Sequence, residues 1–245
     1  MCAEVQAPEA GYRSVDRRAL LLGPLPAAVL AGCGVSTTSR QQRAAVDDTA
    51  TAALAAQQAA EAIPIDVPVT VPLSLIVMHD AADPAGSSLS SRRTEEDLSV
   101  IGQNMGEVWA QANVIFDPVT VETVAAPTDV LEAIALGLDT SRFFDQVGVT
   151  FDIENPSAVN GFYVRAAGRA NGFAPSGSRV FFVIDEPSVR DERVSSHEVG
   201  HIFGLHHQLD DAGTLMFSGT NGTVLNQDEI VVARYGAQGV LDGVR

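Results

Sequence analysis

Apolar positions along this chain fall into short runs separated by glycine, proline and small polar residues. The run Leu73-Ser74-Leu75-Ile76-Val77-Met78 reads as a buried strand ending at His79-Asp80, approached through a proline-punctuated stretch over residues 65–72. Thr94 stands three residues before Asp97, an imperfect capping box ahead of Leu98, Ile101, Met105, Val108, Trp109 and Ala112. Those six share one helical face, so Met105 and Trp109 are core. A second strand is predicted over residues 114–124, where Pro118 implies a bulge or an edge. A short helix over residues 128–136 is stopped by Gly137, and residues 149–153, 161–165 and 180–184 give three further strands. Helix and strand alternate early and strands cluster later. The fold class is therefore α/β (α+β), a mixed twisted sheet covered by helices.

The chain has 245 residues, 46% of them hydrophobic, enough for one domain with its own core and an appendage. The appendage is N-terminal. Arg17 and Arg18 precede a mostly apolar stretch, residues 19–30, that runs into Leu30-Ala31-Gly32-Cys33 and then a small polar run. Positive charge, a short apolar segment and small residues at a cleavage point make a signal peptide over residues 1–32; an uncleaved helix packed on the domain is the competing reading. The stretch is short for a membrane span, and Pro24 and Pro26 interrupt it. Residues 33–63 hold almost no large apolar side chains and read as a flexible tether. The globular domain then occupies residues 64–245.

Charge narrows the partners. The net charge is −16 and every basic side chain is an arginine, because the chain contains no lysine. Such a chain is repelled by phosphate backbones and anionic lipid surfaces, so nucleic acid is not expected as a partner and membrane attachment needs a covalent or apolar device. With cysteine only at Cys2 and Cys33, no disulfide framework exists.

The chemistry lies in His197-Glu198-Val199-Gly200-His201-Ile202-Phe203-Gly204-Leu205-His206-His207. On a helix, His197 and His201 lie on one face about 6 Å apart along the axis. Gly204 supplies a residue free of Cβ where the helix must stop and turn back. His207 then reaches the same ion from beyond the turn. Three protein ligands with an open fourth position make a catalytic zinc site, and Glu198, next to the first ligand, is positioned as general base. With Gly204 and His207 at fixed offsets, a chance match falls to roughly one in 10⁵.

This pattern resembles the signature of the metzincin zinc endopeptidases, most closely the matrixin-like ones. The resemblance implies a methionine turn beneath the metal, and Thr214-Leu215-Met216 supplies it, with Met216 supporting the cage without binding zinc. It also implies a closing helix, for which Asn226 is the N-cap and Glu229 the capping-box partner. Gln208 follows the third ligand where matrixins carry Ser, adamalysins Asp and astacins Glu, and Ser218 replaces the zinc-linked tyrosine of astacins and serralysins. The subfamily stays open. Only His79 lies outside the motif, so a second, structural zinc of the matrixin kind is not expected.

Leu30-Ala31-Gly32-Cys33 resembles a bacterial lipobox, which implies a lipidated Cys33 and an exported, envelope-anchored monomer; the twin arginines resemble a twin-arginine export signal. A latency cysteine of the matrix-metalloproteinase type is a competing role for Cys33. Gly168-Arg169-Ala170-Asn171-Gly172-Phe173 is either an edge that pairs with an extended peptide or a plain hairpin loop. His206 reads as a loop side chain, with replacement of His207 as its alternative. Asp80, Asp83, Asp210 and Asp211 are candidate calcium ligands or solvated loop acids. Residues 217–222 are expected to wall the pocket after the scissile bond. The function expected is zinc-dependent hydrolysis of proteins or peptides, against the alternative of a silent, surface-displayed binding lipoprotein.

Overall fold

The computed structural model describes residues 63–137 and 158–243. The expected signal peptide, the tether with Cys33 and the strand over 149–153 lie outside the described residues.

The domain begins with β1 (Val69–Asp80), which leads through a polar loop into α1 (Glu95–Trp109), a 3₁₀ turn (Ala110–Ala112) and β2 (Val114–Ala126). α2 (Thr128–Ala135) follows, then β3 (Val159–Val164), β4 (Gly172–Phe173), β5 (Val180–Ile184), α3 (Asp191–Ile202) and α4 (Gln227–Leu241). The strands form one sheet in the order β2-β1-β3-β5-β4. All neighbours are parallel except β4, which pairs antiparallel with β5 at the edge.

Helices cover both faces, which explains why β1 reads as a continuous apolar run rather than an alternating one. Leu73, Leu75 and Val77 face a core shared with α1, α3 and α4, whereas Ile76 and Met78 face α2 through Val130, Leu131 and Ile134. α1 and α3 meet where Trp109 stands edge-on to Phe203, ring centroids 5.0 Å apart. Burying a side chain such as Phe203 contributes about 2–3 kcal/mol.

Both caps that the sequence predicts are formed. The Thr94 hydroxyl accepts from Asp97 N while the Asp97 carboxylate accepts from Thr94 N, so the shorter aspartate completes the box. Asn226 and Glu229 do the same at the start of α4.

β1 runs four residues further toward the N-terminus than the pattern predicts, because Val69, Thr70 and Val71 pair with Val114, Ile115 and Phe116. Its register with β2 shifts between Val71 and Leu73. Pro72 sits at the break, with Pro118 opposite it, and neither has an N–H to offer a ladder. Pro118 therefore marks a bulge and an edge together.

Candidate functional site

α3 is built to run through the core. Asp191 and Glu192 place negative charge at its N-terminus, and the Arg93 guanidinium grips Asp191 with both nitrogens at 2.7 and 2.9 Å. At the far end Gly204 takes φ +93°. Leu205 N donates to Gly200 O at 2.8 Å and Gly204 N to His201 O at 3.0 Å, a complete Schellman stop. The chain then reverses and returns His207 to the face that carries His197 and His201.

His207 Nε2 lies 3.1 Å from His201 Nε2 and 3.2 Å from His197 Nε2. Nitrogens bound at 2.0–2.1 Å to a tetrahedral zinc stand about 3.3–3.4 Å apart, so this spacing fits such an ion within a few tenths of an ångström. Proton placement agrees. His197 Nδ1 is 2.8 Å from Leu215 O and His201 Nδ1 is 3.0 Å from Leu205 O. A carbonyl only accepts, so each Nδ1 carries the proton and each Nε2 turns a lone pair inward. Only His207 has a proton left to place between them, and a cation suits this electron-rich cluster. Burial pushes the His197 imidazole down to about 3 and lowers His201 as well, keeping both neutral at physiological pH. Among the described residues, this triad is the group of metal-type side chains whose ligand atoms all lie within 4.8 Å of one another.

Glu198 is on the same helix and 6% exposed. Burial raises its carboxyl to about 8, against the opposing pull of the Arg193 cation and a hydrogen bond from Ala174 N. The edge strand β4 lies close by: a Cβ on Gly172 would stand 2.7 Å from Phe182 O and 3.2 Å from Glu198 Cγ. The stretch at residues 168–173 is thus a sheet edge at Gly172–Phe173, leading directly into the Ala174 amide that Glu198 accepts from.

Met216 is fully buried, and a Cβ on Gly200 would meet its Sδ at 2.6 Å. The expected support residue therefore sits against the helix between the two histidines.

A cavity of about 760 Å³ opens beside His201, lined in part by Ala174, Pro175, Ser176, Leu205 and His206. The residues 217–222 expected to wall a pocket do not line it. His206 is exposed and outside the triad, as its offset implied. His79 is half-buried at the end of β1 and also outside the triad. The Asp80, Asp83 and Asp211 carboxylates accept from N–H groups of their own loops, at 3.0, 2.9 and 2.8 Å. A second cavity, about 610 Å³ between α1 and β2, has no titratable side chain in its lining.

Sequence reasoning overlooked Arg193. Its signal was available: a charged residue one turn before His197, on the helix face that carries both histidines.

No family model matches the sequence, and no curated protein matches it. Solved structures align with the fold, three of them as follows. One is a chain in the structure of a chaperone–substrate complex, with TM-score 0.51, 16% identity, and coverage of 72% of this chain and 35% of that one. Archaemetzincin from Methanopyrus kandleri aligns with TM-score 0.47 and 15% identity over 69% of this chain and 97% of its own. Metalloproteinase-II from Bacteroides fragilis aligns with TM-score 0.47 and 14% identity over 69% of this chain, spanning 53% of its length. At such identities the likeness is one of fold.

Proposed function

We propose that this chain is a zinc-dependent endopeptidase of metzincin type, with His197, His201 and His207 as the metal ligands and Glu198 as the general base. The observation that carries the proposal is the convergence of three Nε2 atoms, with a buried carboxylate on the same helix. Held by these three histidines, zinc would supply a Lewis acid that acidifies water and polarises a peptide carbonyl.

The protein's own groups do the rest. Carbonyls of Leu215 and Leu205 orient two ligand rings through their Nδ1 protons. Glu198 accepts a proton from the attacking water on its carboxylate and returns it to the leaving amine; such a base contributes roughly 10²–10⁴-fold. An extended peptide adds to the exposed side of β4, where Gly172 brings the strand against α3. A carboxylate in this position has no role in a silent binding lipoprotein, which favours the enzyme. Proteins or peptides are the substrates, and Leu30-Ala31-Gly32-Cys33 supports export with a lipid anchor on Cys33.

The test is cleavage of a quenched peptide library by the chain and by Glu198→Ala, with zinc determined on both. Cleavage by the parent alone, with about one zinc per chain in each, is expected. Bound zinc without cleavage by either protein favours the binding lipoprotein, and absence of zinc overturns the ligand assignment.

A further inference from the structure

Arg193 is 3% exposed, and its guanidinium donates to backbone carbonyls instead of a carboxylate. One nitrogen reaches Leu215 O at 2.8 Å and also Phe217 O, and Nε is 3.4 Å from Gly222 O. Burying a cation is costly unless each donor is satisfied, and an aliphatic side chain would fill the same volume without that cost. What the guanidinium supplies here is a grip on three carbonyls of one loop. Two of them flank Met216, and the third lies where that loop returns.

Leu215 O is the informative one. It accepts from Arg193 and, at 2.8 Å, from His197 Nδ1. A carbonyl has two lone pairs, and both are occupied here. Arg193 also precedes His197 by one helical turn, so both donors rise from the same face of α3. The helix thus holds, through Arg193, the carbonyl that orients its own first histidine.

We propose that Arg193 is a positioning residue for the metal centre, fixing the methionine turn so that Leu215 O sets the ring plane and tautomer of His197. The inference rests on the zinc reading above. Arg234 supplies the comparison. It too is 3% exposed and donates to carbonyls, those of Ala112, Asn113, Pro64 and Val67, all remote from the histidines. Loss of either arginine removes a buried carbonyl clamp. Only loss of Arg193 releases His197.

The experiment compares Arg193→Met, Arg193→Lys and Arg234→Met in the full chain. It measures thermal midpoint, zinc affinity by chelator competition and, in metal-free protein, the His197 tautomer by ¹⁵N NMR. Both Met variants lower the midpoint. Arg193→Met is expected to weaken zinc roughly 10–100-fold and to mix the His197 tautomers, with partial recovery in Arg193→Lys, while Arg234→Met leaves both readouts at the parent value. If Arg193→Met does not fold, a zinc affinity intermediate between parent and chelator-stripped baseline in Arg193→Lys, with mixed tautomers, carries the same meaning. Parent-like zinc affinity and a single His197 tautomer in whichever Arg193 variants fold would overturn the proposal. The tautomer readout needs neither metal nor cleavage, so it separates failure of this inference from failure of the protease reading.

Discussion

Replacing Gly200 by alanine sets two effects of opposite sign against each other. Gly200 lies inside α3 between His197 and His201, and by helix propensity alone alanine there stabilises by about 1 kcal/mol. The new Cβ, however, would stand 2.6 Å from Met216 Sδ and 3.3 Å from its Cε, against an ordinary contact of about 3.5–4.0 Å. Met216 is fully buried and Leu205, the next neighbour, is 2% exposed, so the thioether has no free volume to enter. Overpacking of this kind costs about 1–3 kcal/mol, which outweighs the propensity gain and leaves a net loss of up to about 2 kcal/mol. The displaced turn also carries Leu215 O, so zinc affinity falls about tenfold. Urea unfolding of metal-free protein reads the first effect and chelator competition the second. A double-mutant cycle with Met216→Ala isolates the clash, with a favourable coupling above about 0.5 kcal/mol expected. A Gly200→Ala protein about 1 kcal/mol more stable than the parent, with zinc affinity unchanged, would refute the packing argument.

Two further outcomes concern the contact between α4 and Phe203 and the buried titratable groups. A Cβ on Gly236 would run into the Phe203 backbone, 2.5 Å from its carbonyl carbon and 2.7 Å from its Cα, so Gly236→Ala should cost about 3 kcal/mol or more in denaturant unfolding; a variant within about 0.5 kcal/mol of the parent would show that α4 shifts freely. The stability of metal-free protein should depend on pH on both sides of about 6.5, the ordinary histidine value. Below that, unfolding lets His197, held down to about 3 by burial, and His201, also lowered, take up protons, so stability falls with pH. Folded Glu198, raised from 4.5 to about 8 by burial, holds from about pH 4.5 upward a proton that the unfolded chain has lost, so it opposes the histidines below pH 6.5 and lowers stability as pH rises from there to 8. Glu198→Gln should abolish the fall between about pH 6.5 and 8 and steepen the fall below 6.5, where Glu198 opposes the histidines, and a flat profile for the parent between pH 5 and pH 8 would contradict the burial argument.

The helix caps and the turn that ends α3 were legible because each is local. Thr94 with Asp97, Asn226 with Glu229, and Gly204 after the last helical residue all act within six positions of themselves. The choice of His207 over His206 was legible for the same reason, since the Schellman stop fixes where the returning chain points. Less legible was whatever depends on residues distant in sequence. β1 lengthened because residues 114–116 offered a partner, and no window around Val69 contains them. The sheet edge at Gly172 could not be told from a loop, since only Val183 and Phe182 across the ladder decide it. Arg193 was missed because its three acceptors come from 22 to 29 residues further on. The walls of a cavity are non-local in the same way, and residues 174–178 line the one beside His201.

Zinc-dependent hydrolysis by this chain is tested most directly by titrating zinc into the chelator-stripped protein while following cleavage of a quenched peptide. Cleavage should rise linearly and level at about one equivalent, with His207→Ala showing neither tight uptake nor cleavage. A stripped chain that cleaves at the full rate before any zinc is added, or one that takes up an equivalent of zinc and cleaves nothing, would contradict zinc-dependent hydrolysis.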